Sequence, residues 1–215
     1  MSSLENRAEE LSVRQRDVLD AVLDLLTRSQ KAPTMTAVAR AANCSKETLY
    51  RWFGDRDGLL TAMVQWQASR VRGVPLVAQG VTRDELMAGL NEFARNWLTV
   101  LVGPTSVALN RLAIAEAGSR TADLGAIVLH NGPAAMARRL APALEAGRAA
   151  GLLRFDDTDT AFRSFFGLVV RDIQIRLLLG DRLDLDAPTI QRDAEAATRQ
   201  FFALYGVDEQ RPAKA

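Results

Sequence analysis

The sequence predicts an all-α fold of about nine helices, divided between a small N-terminal domain and a larger C-terminal domain. Apolar residues recur at three- and four-residue steps in most segments, and no segment alternates convincingly with the period of two that is typical of strands. Capping residues precede many of these segments, and Gly or Pro follows most of them. We therefore do not expect a sheet.

The composition is that of an ordinary globular protein. Of the 215 residues, 48% are hydrophobic and 25% are charged. The formal net charge of +1 indicates no particular partner, although DNA requires only a local basic patch. One cysteine excludes an intramolecular disulfide framework. Because no apolar run is long enough to span a bilayer and the N-terminus lacks a signal-peptide core, we expect a cytoplasmic protein without membrane contact.

The first helix is predicted to follow a polar and flexible stretch, residues 1–11. Ser12 and Gln15 match a capping box, and the helix should run to about Arg28. Its apolar stripe consists of Val18, Val22, Leu25 and Leu26. We expect this stripe to pack against the next two helices.

Two short helices joined by a tight turn are predicted next. Thr34 is the expected N-cap of the first, which should end near Ala42, and Ser45 is the expected N-cap of the second, which should run to about Phe53. Asn43 lies between them and suits a turn residue with positive φ. This arrangement is typical of a helix-turn-helix and indicates DNA binding. The alternative is an ordinary helical hairpin with a solvated face.

The second of these helices is predicted to present a polar and aromatic outer face. Leu49 and Phe53 are four residues apart and should face inward. The other faces then carry Lys46, Glu47, Thr48, Tyr50, Arg51 and Trp52. The cations around the two helices are Lys31, Arg40, Lys46, Arg51 and Arg56, against the acidic residues Glu47 and Asp55. An exposed Tyr-Arg-Trp run among local cations favours DNA over a merely solvated face.

At these positions the chain resembles the tetracycline-repressor-like (TetR) family of bacterial regulators. The family pattern is Thr, Ile-Ala, Ala-Gly-Val-Ser, Thr-Leu-Tyr, Phe and Lys-Glu-x-Leu, separated by short gaps. Its counterparts here are Thr34, Val38 and Ala39, Ala42 to Ser45, Thr48 to Tyr50, Phe53, and Arg56 to Leu59. Asn43 replaces the usual glycine, Glu47 stands where a small residue often approaches bases, and Trp52 stands where a His or Tyr is common.

The resemblance implies that the protein binds a double-stranded, near-palindromic DNA operator. The expected base-reading residues are Lys46, Thr48 and Glu47. The expected phosphate contacts are Thr34, Thr36, Ser45, Tyr50, Trp52 and Arg56, and Arg51 belongs to the same interface.

A fourth helix should connect the two domains rigidly. Asp55 is its expected N-cap, and it should run to about Arg72, before Gly73 and Pro75 end it. The predicted divisions are 12–55 for the helix-turn-helix domain, 56–74 for the connecting helix, 75–206 for a ligand-binding and dimerisation domain, and 207–215 for a flexible tail.

Five further helices are predicted. Thr82 and Glu85 form a second capping box at the start of the fifth, whose inner face comprises Leu86, Leu90, Phe93, Trp97 and Leu101. The others are expected at about 105–117, at 121–150 with a break at Gly132 and Pro133, at 158–179 and at 188–205.

The last two helices suggest a homodimer. The eighth, about 158–179, is apolar on nearly every side and should therefore be buried on nearly every side. The ninth, about 188–205, has an apolar stripe made of Ile190, Ala194, Ala197, Phe201 and Leu204. Two such helices from each subunit would form a four-helix interface. The alternative is that both stripes serve the core of a single chain.

No catalytic, metal or cofactor site is expected. The one histidine, His130, is far in sequence from the one cysteine, Cys44, which suits packing in the turn. Neither familiar metal-ligand spacing nor a phosphate-binding glycine loop occurs. We do not expect an enzyme.

The resemblance further implies an apolar cavity for a small-molecule effector in the helices after the DNA-binding domain. The candidate lining residues are Met63, Trp66, Met87, Phe93, Trp97, Asn110, His130, Met136, Phe166 and Arg171. Arg171 and Asp172 interrupt the apolar eighth helix, where a charge needs a partner or a ligand. Arg171 could anchor a polar ligand group or form an ion pair with Glu116 or a partner subunit.

The predicted function is therefore a homodimeric transcriptional regulator, most simply a repressor released from its operator by a small molecule. The alternative is a small-molecule-binding helical protein with a vestigial DNA-binding domain. Loss of the basic patch would indicate that alternative, and the presence of Lys46, Arg51 and Arg56 argues against it.

Overall fold

The computed structural model describes residues 11–29, 31–75, 80–117 and 124–207. Within these residues the chain forms eleven α helices and no strand, apart from an isolated bridge between Leu153 and Gly206, so the all-α prediction is confirmed. The helices are α1 (Val13–Ser29), α2 (Met35–Ala41), α3 (Lys46–Phe53), α4 (Arg56–Ala68), α5 (Arg83–Val102), α6 (Pro104–Glu116), α7 (Leu124–Asn131), α8 (Pro133–Ala149), α9 (Thr158–Val170), α10 (Ile173–Leu178) and α11 (Ala187–Tyr205). The predicted flexible end segments, 1–11 and 207–215, lie almost wholly outside the described residues.

The helices belong to two compact units, each assembled from segments distant in sequence. Unit 1 comprises residues 1–70, 100–136 and 174–181, and unit 2 comprises residues 71–99, 137–173 and 182–215. Unit 1 holds the predicted helix-turn-helix, and unit 2 holds the paired helices α9 and α11.

Side-chain caps begin the first helices of unit 1 as predicted. Ser12 and Gln15 form the reciprocal capping box, with distances of 2.9 Å and 3.2 Å between the backbone nitrogen of one and the side-chain oxygen of the other. Thr34, Ser45 and Asp55 each accept a hydrogen bond from a backbone N–H three residues later. These caps set where α2, α3 and α4 begin.

The core of unit 1 forms where α1 packs against α2, α4 and α6. Val18, Val22 and Leu26 of α1 are fully buried, as predicted, and Leu25 is partly buried. Leu49 of α3 and Met63 of α4 are also fully buried in the same cluster. Helices α2 and α3 and the turn between them are thus built on a continuous apolar core.

Helix α4, which was predicted to connect the two domains, is shorter than predicted, because it ends at Ala68 rather than near Arg72. The Ser69 hydroxyl donates to the Trp66 carbonyl at 2.8 Å, and the Arg70 amide bonds the Gln67 carbonyl at 3.4 Å. Ser competes for helix carbonyls through its side chain, which favours termination at this point.

The predicted eighth helix is broken, which is a correction to the sequence analysis. Helix α9 ends at Val170, and α10 begins at Ile173. Arg171 lies between them with φ of 46°, a left-handed conformation that is unusual for a residue with a side chain. Neither Gly nor Pro marks this break in the sequence. The predicted break at Gly132 and Pro133 is confirmed, since α7 ends at Asn131 and α8 begins at Pro133.

Helices α9 and α11 pack against each other within unit 2. The rings of Phe165 and Phe201 meet edge to face at 5.3 Å between centroids. The hydroxyls of Ser164 and Tyr205 are 2.7 Å apart. Ile190, Ala194, Ala197 and Phe201 are buried in the single chain, so this part of the stripe serves the chain's own core, whereas Leu204 is 65% exposed.

Among the described residues no single helix is long and apolar enough to cross a membrane. One bent pair, α5 with α6, meets that test by length and composition alone.

The turn residue Asn43 provides a test of local strain. Its φ of 48° favours Gly and tolerates Asn. We expect Asn43→Ala to lower the free energy of unfolding by about 1 kcal/mol, and Asn43→Gly to leave it nearly unchanged. Urea unfolding followed by circular dichroism measures both. Equal stability of the Ala and Gly variants would show that this conformation is not a constraint.

Candidate nucleic-acid interface

The turn between α2 and α3 is held by backbone and side-chain bonds. The Cys44 amide donates to the Ala39 carbonyl at 2.9 Å, and Asn43 takes the predicted positive φ. Val38 is fully buried and Ala39 is 8% exposed, so small and apolar side chains occupy the space between the two helices. This geometry orients α3 relative to α2.

Arg14 is a residue that the sequence analysis missed. Its guanidinium donates to the carbonyl of Ala42 at 2.6 Å and to that of Asn43 at 3.0 Å. A cation at these carbonyls stabilises the C-terminal end of α2. No spacing rule joins residues 28 positions apart, so only the packing of α1 on α2 reveals this contact.

The start of α3 is a network of hydroxyl and carboxylate groups. The Ser45 hydroxyl accepts from the Thr48 amide at 3.1 Å and lies 3.1 Å from the Thr48 hydroxyl. The pKa of the Glu47 carboxyl lies below its ordinary value, because its own backbone N–H and the Ser45 hydroxyl donate to it and Lys46 adds a smaller attraction. Glu47 therefore carries a full negative charge at the tip of the helix at neutral pH.

The outward face of α3 carries the predicted cations and an exposed aromatic ring. Leu49 and Phe53 point inward, at 0% and 9% exposure, which leaves Lys46, Tyr50 and Arg51 exposed. Tyr50 is 51% exposed, an unusual degree for an aromatic side chain. Thr34, Thr36 and Arg40 are also exposed, at or on α2.

Trp52 does not share this exposed face. Its ring is half-buried and packs against the unit 1 core, meeting Phe53 edge to face at 6.3 Å. It borders a cleft of about 390 Å³ lined by Leu11, Gln15, Trp52, Phe53, Gly58, Thr61, Ala62 and Gln65. The predicted exposed Tyr-Arg-Trp run is therefore corrected to an exposed Tyr50 and Arg51 beside a packed Trp52.

Arg56 stands at the first position of α4 and is partly engaged. Its guanidinium lies 3.8 Å from a Glu116 carboxylate oxygen and 4.0 Å from one of Asp57, and its side chain is 35% exposed. A phosphate contact by Arg56 has to compete with these carboxylates.

The ten candidate ligand-binding residues divide between the two units. Met87, Phe93, Trp97, Phe166 and Arg171 belong to unit 2, and Met63, Trp66, Asn110, His130 and Met136 belong to unit 1.

Three of the unit 2 candidates meet in an aromatic group. The Trp97 ring is 5.7 Å from that of Phe93 and 5.3 Å from that of Phe166. Phe162, which the sequence analysis did not select, stacks on Trp97 at 6.0 Å. Phe162 lies four residues before Phe166 on α9, and this spacing could have identified it.

Arg171 is not an isolated charge in an apolar helix. It lies at the break after α9 with its side chain 39% exposed, and its guanidinium is 3.4 Å from the Asp193 carboxylate. The predicted alternatives named Glu116 or a partner subunit as the counter-charge, whereas the structure supplies Asp193 of α11.

The unit 1 candidates have other surroundings. The Trp66 indole donates to Asp20 on α1 at 2.8 Å. Met63 and Met136 are buried, Asn110 bonds the Ser106 carbonyl at 2.8 Å, and His130 is exposed. None of these contacts gathers the five residues around one cavity among the described parts of unit 1.

No group of three or more His, Cys, Asp and Glu side chains that could hold a metal ion occurs in the described residues.

Comparisons with known proteins agree with this geometry. Residues 88–207 match the family model of the C-terminal domain of AefR-like transcriptional repressors, of the TetR type. A TetR transcriptional regulator from Agrobacterium tumefaciens is 44% identical with a TM-score of 0.80, over 93% of this chain and 97% of that one. The flavonoid-responsive regulator FrrA is 30% identical with a TM-score of 0.66, over 90% and 97%.

A third similarity is short. The HTH-type transcriptional regulator AlkX of Mycobacterium tuberculosis is 56% identical over 43 residues, which span 20% of this chain and 20% of that relative. The capped α2–turn–α3 unit, the all-helical fold and the extent of the longer matches lead to one assignment: this chain belongs to the TetR family of DNA-binding transcriptional regulators.

Proposed function

We propose that the protein is a repressor that binds a near-palindromic operator as a homodimer and leaves it when a small molecule binds. The observation that carries the DNA-binding part is the outward face of α3. Lys46, Tyr50 and Arg51 are exposed there, while Leu49 and Phe53 anchor the opposite face in the core. A helix held this way fits the major groove with its N-terminal residues toward the bases.

The side chains divide by the contacts they can make. Lys46 is the strongest candidate for reading a base, because it is exposed at the first turn of α3. Thr48 and Glu47 are tied to Ser45, which limits how far they can reach. The exposed residues that suit phosphate contacts are Thr34, Thr36, Tyr50 and Arg51. Trp52 is half-buried and lines the cleft, so it stabilises the position of α3.

Substitution of two cations should separate these roles. Arg51→Ala should weaken binding to all duplexes and flatten the salt dependence by about one unit of log–log slope. Lys46→Ala should change which base is preferred at one position of the duplex. The wild-type protein should discriminate between bases at that position by about 1–3 kcal/mol. Selection from randomised duplexes, followed by fluorescence anisotropy at several salt concentrations, measures both effects.

Arg95→Ala is the matched control for these variants, because Arg95 is exposed on α5 and pairs with Glu92. If the wild-type protein selects no duplex, the DNA-binding domain is vestigial and the alternative function applies. If the Arg51→Ala variant keeps the wild-type salt slope, Arg51 does not contact a phosphate.

The proposed dimer uses the outward faces of α9 and α11. The inner stripe of α11 is already buried, so the partner must meet what remains exposed, such as Gly167 of α9 and Leu204 of α11. A Cβ built at Gly167 meets nothing within 4 Å beyond its two neighbouring residues and the backbone of its own helix turn. A glycine on an exposed helix face allows the close approach of a second backbone.

Gly167→Trp should therefore produce a folded monomer with much weaker operator binding. The Cβ of the added side chain lies in open space on the exposed face of α9, and its ring would collide with a partner helix packed there. Ala88→Trp, at an exposed site on α5, is the matched control and should stay dimeric. Sedimentation velocity measures the mass of both. A dimeric Gly167→Trp variant would place the interface elsewhere.

The proposed effector is an uncharged aromatic molecule that binds at the aromatic group of unit 2. The support is the cluster of Phe93, Trp97, Phe162 and Phe166, of which Phe166 is half-buried. Aromatic rings bind other aromatic rings by stacking and edge contacts. A regulator that is 30% identical carries the description flavonoid-responsive, which agrees with that chemistry. Such a ligand acts by binding more tightly to the state that does not fit DNA.

Naringenin, a flavonoid, is a suitable probe. It should release the wild-type protein from its selected duplex, and Phe166→Leu should raise the half-effective concentration about tenfold, a loss of about 1.4 kcal/mol. Trp66→Phe is the control, since the Trp66 indole is engaged by Asp20 in unit 1. Fluorescence anisotropy of labelled duplex gives the result. An unchanged response of Phe166→Leu would show that the ligand does not bind at this aromatic group, and loss of response in Trp66→Phe would place the site in unit 1.

A further inference from the structure

One polar contact in unit 1 joins the proposed DNA-binding surface to a helix outside the helix-turn-helix. Glu116 is the last residue of α6, and Arg56 is the first residue of α4. A guanidinium nitrogen of Arg56 lies 3.8 Å from Oε1 of Glu116, and the side chains are 35% and 24% exposed. Oε2 of Glu116 is buried and accepts no hydrogen bond within the described structure. Among the described residues this carboxylate has one ionic contact, at 3.8 Å, and it is largely withdrawn from water.

Both charges stand at helix ends that disfavour them. Glu116 is at the C-terminal end of α6, where the helix dipole repels an anion, and the last turn of α6 carries no basic residue. Arg56 is at the N-terminal end of α4, where the dipole repels a cation. Their ion pair offsets both effects, and it holds the guanidinium toward α6 in the absence of DNA.

We propose that Glu116 competes with the DNA backbone for Arg56 and thereby sets the affinity for the operator. This inference rests on the proposed DNA binding. A phosphate that approaches the N-terminal end of α4 would meet a favourable helix dipole and a cation already partly neutralised by Glu116. Because a neutralised cation releases fewer counterions from DNA, Glu116 lowers both the affinity and its salt dependence.

The test is a double-mutant cycle on the full-length protein. Glu116→Gln keeps the size of the side chain and removes its charge. We expect it to tighten binding to the selected duplex up to about fivefold, which corresponds to the upper range of a partly exposed ion pair. The salt slope should steepen by up to about one unit. In an Arg56→Ala background, Glu116→Gln should have almost no effect.

Fluorescence anisotropy at four salt concentrations gives the dissociation constants, and thermal unfolding checks that each variant is folded. Asp24→Asn, at an exposed site on α1, makes the same charge change away from this pair and should alter affinity little. Glu116→Asp keeps the charge but shortens the side chain, so it should increase the affinity for the duplex less than Glu116→Gln does. It is the variant to use if Glu116→Gln fails to fold.

Three results would overturn the inference. An equal gain from Glu116→Gln with and without Arg56 would mean that Glu116 acts only through general repulsion of DNA. Weaker binding of Glu116→Gln would mean that Glu116 orients Arg56 toward the phosphate. Unchanged binding would mean that the two groups are not coupled. In each of these cases the wild-type protein still binds its duplex. If the wild-type protein selects no duplex at all, the proposed DNA-binding function is itself rejected.

Discussion

The structure around the DNA-binding face depends on the burial of one side of the short helix α3. A helix of eight residues is not stable alone, so its stability must come from tertiary packing. Leu49 is fully buried and Phe53 nearly so, and each contributes about 2–3 kcal/mol by removal from water. Because these two anchors fix the rotation of α3 about its axis, they decide that Lys46, Tyr50 and Arg51 face outward. The Ser45 cap, the positive φ of Asn43 and the Arg14 contact at the end of α2 then hold the turn that precedes α3 in place.

Charge at this face is balanced rather than simply positive. The formal net charge of the chain is +1, and acidic groups lie among the cations of the helix-turn-helix. Glu47 is held ionised by the hydrogen bonds at the start of α3, and Arg56 is shared between Asp57 and Glu116. Such an arrangement limits non-specific attraction to DNA, because fewer cations are free to replace counterions. In the proposed complex, affinity for an operator would depend on how well the duplex displaces these internal contacts.

The C-terminal helices show how an apolar pattern can be assigned to the wrong partner. Helix α11 buries Ile190, Ala194, Ala197 and Phe201 within its own chain, so these residues require no second subunit. The same apolar stripe would fit a dimer interface equally well, because an apolar pattern indicates only that a helix face is buried and not which chain covers it. What a partner can reach is the remainder, including Gly167 and Leu204.

The sequence alone determined the helical class, the capped starts of α2, α3 and α4, and the turn at Asn43, because each depends on local rules of periodicity, capping and backbone sterics. Its division of α3 into inward and outward faces was also correct except at Thr48, which is half-buried, and at Trp52, whose large ring packs against the core and lines a cleft formed with α1 and α4. Only the tertiary structure decided the break at Arg171, the Arg14 contact, the pairing of Arg56 with Glu116 and the pairing of Arg171 with Asp193. These depend on contacts between residues from 22 to 60 positions apart, or on strain that such contacts must stabilise, and no local pattern encodes them.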